Sequence, residues 1–200
     1  GNRLVPFELL DVAGLVPGAH KGKGLGNQFH DDLRQADVLI HVLDIAGATD
    51  EKGNIVPAGS RDPAEDVLFL EEEFDQWLAS IIQRNVVEKK QAFNVSKFAE
   101  FLSGLKITRE HIQLSEKKTG LLISEAKNWH FEAFLKFAKM LRELSKPIVI
   151  SANKIDLPKS KENLAKLSNR FPNYEVIPTC AEAELALREA GEKDLIKYIP

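Results

Sequence analysis

Across 200 residues the chain is 44% apolar and 28% charged with a net charge of -3, an ordinary globular balance and length enough for one large domain or a domain carrying a sizeable insertion. The slight acidity excludes bulk attraction to nucleic acid, so an RNA contact has to be local or lie outside this stretch, and no DNA partner is expected. Cys180 is the single cysteine, which excludes an intrachain disulfide framework and fits a reducing, intracellular setting; no apolar run approaches the about 18 residues of a membrane span, and no signal-peptide pattern follows Gly1.

The first β-rich apolar run is Leu4–Leu10. It leads into Asp11-Val12-Ala13-Gly14. Asp-x-x-Gly after an apolar strand is the third sequence element of GTPases. The aspartate can hold Mg²⁺, usually through water, and the glycine lets a backbone N–H approach a γ-phosphate. Alone, the four-residue pattern also fits a strand running into a turn. The stretch Leu15 to Asn27 is glycine-rich and basic. It matches Gly-x-x-x-x-Gly-Lys-[Ser/Thr] in no register, and Gly22-x-Gly24-x-Gly26 fails the dinucleotide spacing. It reads as a switch loop, free to order when a γ-phosphate is present. A helix opening at Asn27 or Gln28 and running to about Gln35 follows.

The second run, Val38–Leu43, predicts a strand, and His41 alternates within it as a structural residue. The loop 45–62 holds no His or Gln that could act in catalysis. Asp62-Pro63-Ala64-Glu65 is a helix start: an Asp cap, Pro at the first helical position and Glu three residues after the cap. Apolar residues then recur at helical spacing from Val67 to Ile81, around Phe98–Leu105, and from Phe131 to Leu141. The last stripe is expected to end before Lys146-Pro147. Residues 63–128 are expected to form a helical insertion, a hairpin of long helices. The helix of about 130–145 returns the chain to the sheet.

The third run, Ile148–Ala152, leads directly into Asn153-Lys154-Ile155-Asp156. Asn-Lys-x-Asp is the guanine-reading element. Its Asp carboxylate accepts two hydrogen bonds from N1–H and the exocyclic amine, a donor pair that adenine lacks. Asn153 is expected to tie the loop to a phosphate loop, and the Lys154 stem to pack over the base. A weaker run, Tyr174–Ile177, precedes Thr179-Cys180-Ala181, where a backbone N–H would meet guanine O6. Cys180 is read as a small buried residue rather than a reactive thiol. Strands alternating with helices predict a parallel α/β sheet with ligands at the carboxyl ends of its strands. His20, His30, His41, His111 and His130 share no metal-ligand spacing. Glu71-Glu72-Glu73 and Lys89-Lys90 read as surface.

The run Asp11 to Phe29, followed by Asp32-Leu33-Arg34-Gln35-Ala36-Asp37, resembles the Obg/YchF family of P-loop GTPases, in its archaeal and fungal branch. The resemblance implies an α/β fold, a P-loop GTPase-type parallel sheet flanked by helices with an inserted coiled-coil-like helical subdomain. Its parts would be 1–62, 63–128 and 129–200. It implies a GTP-binding and GTP-hydrolysing switch with GTP or GDP as ligand, Mg²⁺ as cofactor, the ribosome or rRNA as partner and a cytoplasmic location. The expected nucleotide-binding residues are Asp11, Gly14, Asn153, Lys154, Asp156, Thr179, Cys180 and Ala181, with Asp11 on Mg²⁺ through water. Leu15 stands where many GTPases place Gln, which implies slow intrinsic hydrolysis; His20 could approach the γ-phosphate. Much of the YchF branch departs from Asn-Lys-x-Asp and accepts ATP, whereas Asn153, Lys154 and Asp156 predict guanine. The family's P-loop and switch I precede the Asp-x-x-Gly strand, and only ten residues precede Asp11. The expectation is therefore an excerpt lacking the P-loop and the TGS domain. A truncated, non-catalytic binding module and an ATPase of the same fold stay open as alternatives.

Overall fold

The structure, a computed structural model, describes residues 7–12, 36–88 and 94–199. Its framework is a three-stranded sheet in the order β1-β2-β3, with β1 Leu39–Asp44, β2 Ile148–Asn153 and β3 Glu175–Pro178. Leu39 N donates to Pro147 O and Ile45 N to Asn153 O, both at 3.0 Å. Both strands advance together between these bonds, so β1 and β2 run parallel. β2 and β3 are parallel as well, with Val149 opposite Glu175 and Ala152 opposite Pro178. Each strand lies within a residue or so of its apolar run. By contrast, residues 7–10 of the expected first strand carry no regular structure, and Phe7 and Leu9 are exposed. β-propensity is only realised against a partner strand, and no described residue pairs with this segment.

The chain divides into two compact units. One contains 40–69 and 148–200. Its core is Leu43, Ile45, Ala64, Val67, Ile150, Ala152 and Leu167, with Ile155, Leu164, Phe171, Tyr174 and Val176 packed against it. The alternation along β2 places Ile148, Ile150 and Ala152 inside, and a fully buried aliphatic side chain contributes about 1.5–3 kcal/mol. Helix α5 (Ser160–Arg170) links β2 to β3, and α6 (Ala181–Glu192) follows β3. The loop after β1 folds back on itself: Val56 N donates to Ala48 O and Gly59 N to Ala46 O. Gly47 sits at φ +59°, and a Cβ there would stand 2.1 Å from Arg61 O, so only glycine fits.

The other unit contains 1–39 and 70–147 and is helical over its described residues beyond Leu70. Helix α1 (Ala64–Glu88) opens at Asp62-Pro63 as expected, with Asp62 Oδ1 accepting from Ala64 N at 3.0 Å. The rest departs from a hairpin of long helices. Among the described residues α1 is followed within the expected insertion by two shorter helices, α2 (Val95–Phe101) and α3 (Arg109–Thr119), and then by the returning helix α4 (Phe131–Ser145). The breaks have local causes. Lys106 takes a left-handed conformation after the 3-10 turn Ser103–Leu105 that extends α2, and Gly120 does so after α3, ending each helical run. α4 ends at Ser145, before Lys146-Pro147, as expected. Phe98, Trp129, Phe134 and Phe137 form an aromatic cluster, with Trp129 5.2 Å from both Phe134 and Phe137.

α3 starts with a reciprocal cap: Thr108 Oγ1 accepts from His111 N, and His111 Nδ1 accepts from Thr108 N. Thr108→Ala is expected to cost about 1 kcal/mol, measured as a lower denaturant midpoint with an unchanged slope. An unchanged midpoint would mean the cap is not formed in solution.

Candidate functional site

The candidate site lies at the carboxyl ends of the three parallel strands, the edge at which open α/β sheets bind ligands. Each strand ends in a polar residue: Asp44, Asn153 and Thr179, the last one position beyond β3. The alternation that sends Ile150 and Ala152 inward leaves Asn153 half-buried at the rim.

The Asn153–Asp156 loop is held to its neighbours by named bonds. Asn153 Oδ1 accepts from Ala181 N at 3.0 Å. Ile155 N donates to Thr179 O at 3.2 Å, and Thr179 N to Ala152 O at 2.9 Å. The hydroxyls of Ser151 and Thr179 are 2.8 Å apart. Cys180 Sγ donates to Asp156 Oδ1 at 3.0 Å and accepts from Ala183 N at 3.4 Å. Asp156 is exposed, and an ionised carboxylate has about four lone-pair sites, so the thiol leaves room for other donors. Cys180 is half-buried rather than buried, as it caps α6. The bond to Asp156 pushes its thiol pKa up. It is thus kept protonated, in agreement with the reading against a reactive thiol.

Lys154 takes a left-handed backbone conformation, φ +65°, which is uncommon for a residue with a side chain. Its Nζ donates to Asp44 Oδ2 at 2.9 Å and to Thr49 Oγ1 at 2.6 Å. Thr49 Oγ1 donates in turn to Asp44 Oδ2 at 2.6 Å, and Ala46 N and Ala48 N donate to the same carboxylate. Burial pushes the Asp44 pKa up, but the Thr49, Lys154 and Ala46 donors outweigh it, and the carboxyl sits below its ordinary range. Nothing singled out Asp44 and Thr49 in sequence except position: Asp44 directly follows the second apolar run.

The structure therefore brings together Asn153, Lys154, Asp156, Thr179, Cys180 and Ala181. Asn153 Oδ1 is joined to Ala181 N–H, so among the described residues it ties the loop to the turn after β3, and that one N–H of the turn is already engaged. Asp11 is exposed and belongs to the other unit; Gly14, Leu15 and His20, and with them the whole glycine-rich switch from Leu15 to Asn27, lie outside the described residues. His41 is half-buried on β1, and desolvation alone lowers its pKa to about 4, so the imidazole is neutral at neutral pH. Among the described residues no group of three or more His, Cys, Asp or Glu side chains is placed to hold a metal ion, and no helix is long and apolar enough to cross a membrane.

A parallel sheet with its polar loops gathered at one carboxyl edge defines an α/β domain of the ligand-binding kind. Comparison with known proteins makes it the P-loop GTPase fold. The family model for a 50S ribosome-binding GTPase matches residues 2–96, and that for the G4 motif-containing domain of the Obg-like GTPase YGR210-like group matches residues 151–200. An uncharacterized GTP-binding protein of Methanocaldococcus jannaschii is 45% identical over 98% of this chain and 50% of its own length. The ribosome-binding ATPase YchF of Bacillus subtilis is 33% identical over 94% of the chain and 52% of its length. The crystal structure of a GTP-binding protein from Pyrococcus horikoshii superposes with a TM-score of 0.69 at 37% identity, covering 86% of this chain and 51% of that one. The chain belongs to the Obg/YchF family of GTPases. It spans about half the length of these relatives.

Proposed function

We propose that this chain supplies the base-reading part of a GTP-binding and GTP-hydrolysing switch that works on the ribosome. The observation that carries the reading is the joined pair of loops after β2 and β3, in which Asp156 is exposed and its carboxylate is oriented by Cys180. A carboxylate fixed in this way suits the N1–H and amine of guanine. Adenine would leave it unpaired, which is the costly case. Thr179, Cys180 and Ala181 would shape the other side of the base site. Lys154 offers its stem to the base.

Mg²⁺ would be held by Asp11 through water. Its exposed carboxylate suits an ion that keeps several waters and takes one or two protein carboxylates beside phosphate oxygens. The ion would supply charge compensation on the phosphates. Gly14 would admit the γ-phosphate to a backbone N–H, and Leu15, lacking a side chain to orient water, leaves hydrolysis slow until a partner assists. Residues 1–62 and 129–200 would form the nucleotide domain, and 63–128 the helical insertion that reports its state. Work on the ribosome is supported by the match to a 50S ribosome-binding GTPase model and by the likeness to the ribosome-binding ATPase of Bacillus, and the cytoplasm would be its setting.

The likeness to that Bacillus ATPase favours a second reading in which adenine is accepted. Direct competition separates the two. In the intact protein, GDP is expected to displace a fluorescent guanine nucleotide at least a hundredfold better than ADP, by the cost of leaving a buried or oriented charge unpaired. Equal displacement would overturn the guanine reading, and no binding of either nucleotide would support a non-catalytic module.

A further inference from the structure

We propose that Asp44 and Thr49 are positioning residues for Lys154, a clamp that fixes the lysine before nucleotide arrives. The inference rests on the proposed base site and adds to it two residues from a different strand and loop. Lys154 is 110 residues from Asp44 and 105 from Thr49 in sequence, yet its ammonium lies 2.9 and 2.6 Å from them. The three groups close a ring, because Thr49 also donates to Asp44 at 2.6 Å. Asp44 is in turn anchored by two backbone N–H groups of its own loop. Thr49 is fixed by an antiparallel bridge to Ile55. The anchor is thus built into β1 and the loop that follows it, not into the lysine's own segment.

This arrangement decides what Lys154 does. A free lysine has a flexible four-carbon stem and a strongly hydrated charge, and it loses much rotamer freedom when a ligand orders it. Here the ammonium is already engaged. The Lys154 side chain nevertheless remains 39% exposed, against 13% for Asp44, so the engagement does not bury it. The left-handed backbone at Lys154 adds a second constraint at the other end of the side chain. With both ends held, the side chain is a preformed ledge for an aromatic ring, and its ordering is complete before binding. Its charge is matched by Asp44.

The test is a set of equilibrium titrations of the intact protein with a fluorescent GDP. The variants are Thr49→Val, Thr49→Ser, Asp44→Asn, Lys154→Met and the double variant Asp44→Asn/Lys154→Met. Thr49→Val and Asp44→Asn are each expected to weaken binding about tenfold, and Thr49→Ser to restore it. In the Lys154→Met background, Asp44→Asn is expected to add less than twofold, because its effect runs through the lysine. Losses that simply multiply in the double variant would overturn the proposal, since Asp44 would then act by supporting the loop alone. So would a Thr49→Ser variant as weak as Thr49→Val. If Asp44→Asn fails to fold, the two threonine variants decide. The parent protein is the control for the base site itself: if it binds no guanine nucleotide, the proposed function fails and the clamp has no ligand to serve. Binding by the parent that is unaffected by either threonine or aspartate variant overturns the clamp alone.

Discussion

Asp156→Ala in the intact protein is expected to erase the preference for guanine over adenine nucleotides. Two hydrogen bonds to a charged acceptor are at stake, at about 1.5–3 kcal/mol each, so the expected loss is about 3–6 kcal/mol, or a hundredfold to ten-thousandfold in relative affinity. The loss falls on guanine alone. Adenine gains slightly, since the carboxylate that its Watson–Crick edge cannot satisfy has gone. Stability should change little, because Asp156 is exposed and exposed substitutions usually stay within about 0.5 kcal/mol. The measurement is competition of GDP and ADP for one site before and after the change. A ratio that does not move would mean that another group reads the base.

The structure gives this prediction a second arm. Asp156 Oδ1 already receives the Cys180 thiol at 3.0 Å, and the sulfur is held by Ala183 N–H at the start of α6. The carboxylate is therefore oriented by the turn after β3 before any base is present. Inosine diphosphate, which lacks the exocyclic amine, should lose one of the two bonds, about 1.5–3 kcal/mol. It should thus fall between GDP and ADP in the parent and become equal to both in Asp156→Ala.

The elements that could be read from sequence are those with a local cause. Val38–Leu43 and Ile148–Ala152 are apolar runs bounded by polar residues, and both are strands. Asp62-Pro63 is a cap followed by a residue suited to the first turn, and α1 opens there. Asn153-Lys154-Ile155-Asp156 directly follows its strand, and its neighbours after β3 meet it as the order of the runs implied. What escaped has two causes: partners far away in the chain, and left-handed turns that a helical stripe does not announce. The segment Leu4–Leu10 has strand composition, but over 7–10 it is not paired within the described residues. The helical stripes after residue 63 were continuous enough to suggest long helices, whereas Lys106 and Gly120 turn the backbone left-handed and divide them. Asp44 directly follows the second apolar run and carries no motif of its own. Its role with Lys154 depends on a contact across 110 residues, and no local pattern carries that.

The same limit applies to the largest stability effect we expect, at Arg142. On the sequence it is one polar position in the amphipathic α4. In the structure it is 1% exposed, and its Nε donates to Asp75 Oδ1 at 2.6 Å across a separation of 67 residues. Its Nη2 donates to Asp75 Oδ2 at 3.3 Å and to Glu71 Oε1 at 3.1 Å. Asp75 is itself buried, and burial raises its pKa while the Arg142 hydrogen bond and charge pull it back. Arg142→Met keeps the apolar bulk but strands a buried carboxylate, a change that costs about 3–5 kcal/mol. For a chain of this length that corresponds to a melting temperature lower by about 6–20 °C. The pH dependence has a fixed sign. Without the guanidinium the folded-state pKa of Asp75 rises further above its unfolded value, so the folded state binds the proton more tightly. The penalty is then absent below the unfolded value near 3.8, grows as pH rises towards the folded value, and is complete above it. The deficit relative to the parent should therefore be greatest at neutral pH and shrink towards pH 4. Adding Asp75→Leu should recover most of it at neutral pH and remove the pH dependence, because an apolar pair of similar volume replaces a buried ion pair at little cost. A deficit below about 1 kcal/mol, or one that is flat between pH 4 and 7, would mean that water reaches Asp75 in solution and that the pair belongs to the surface.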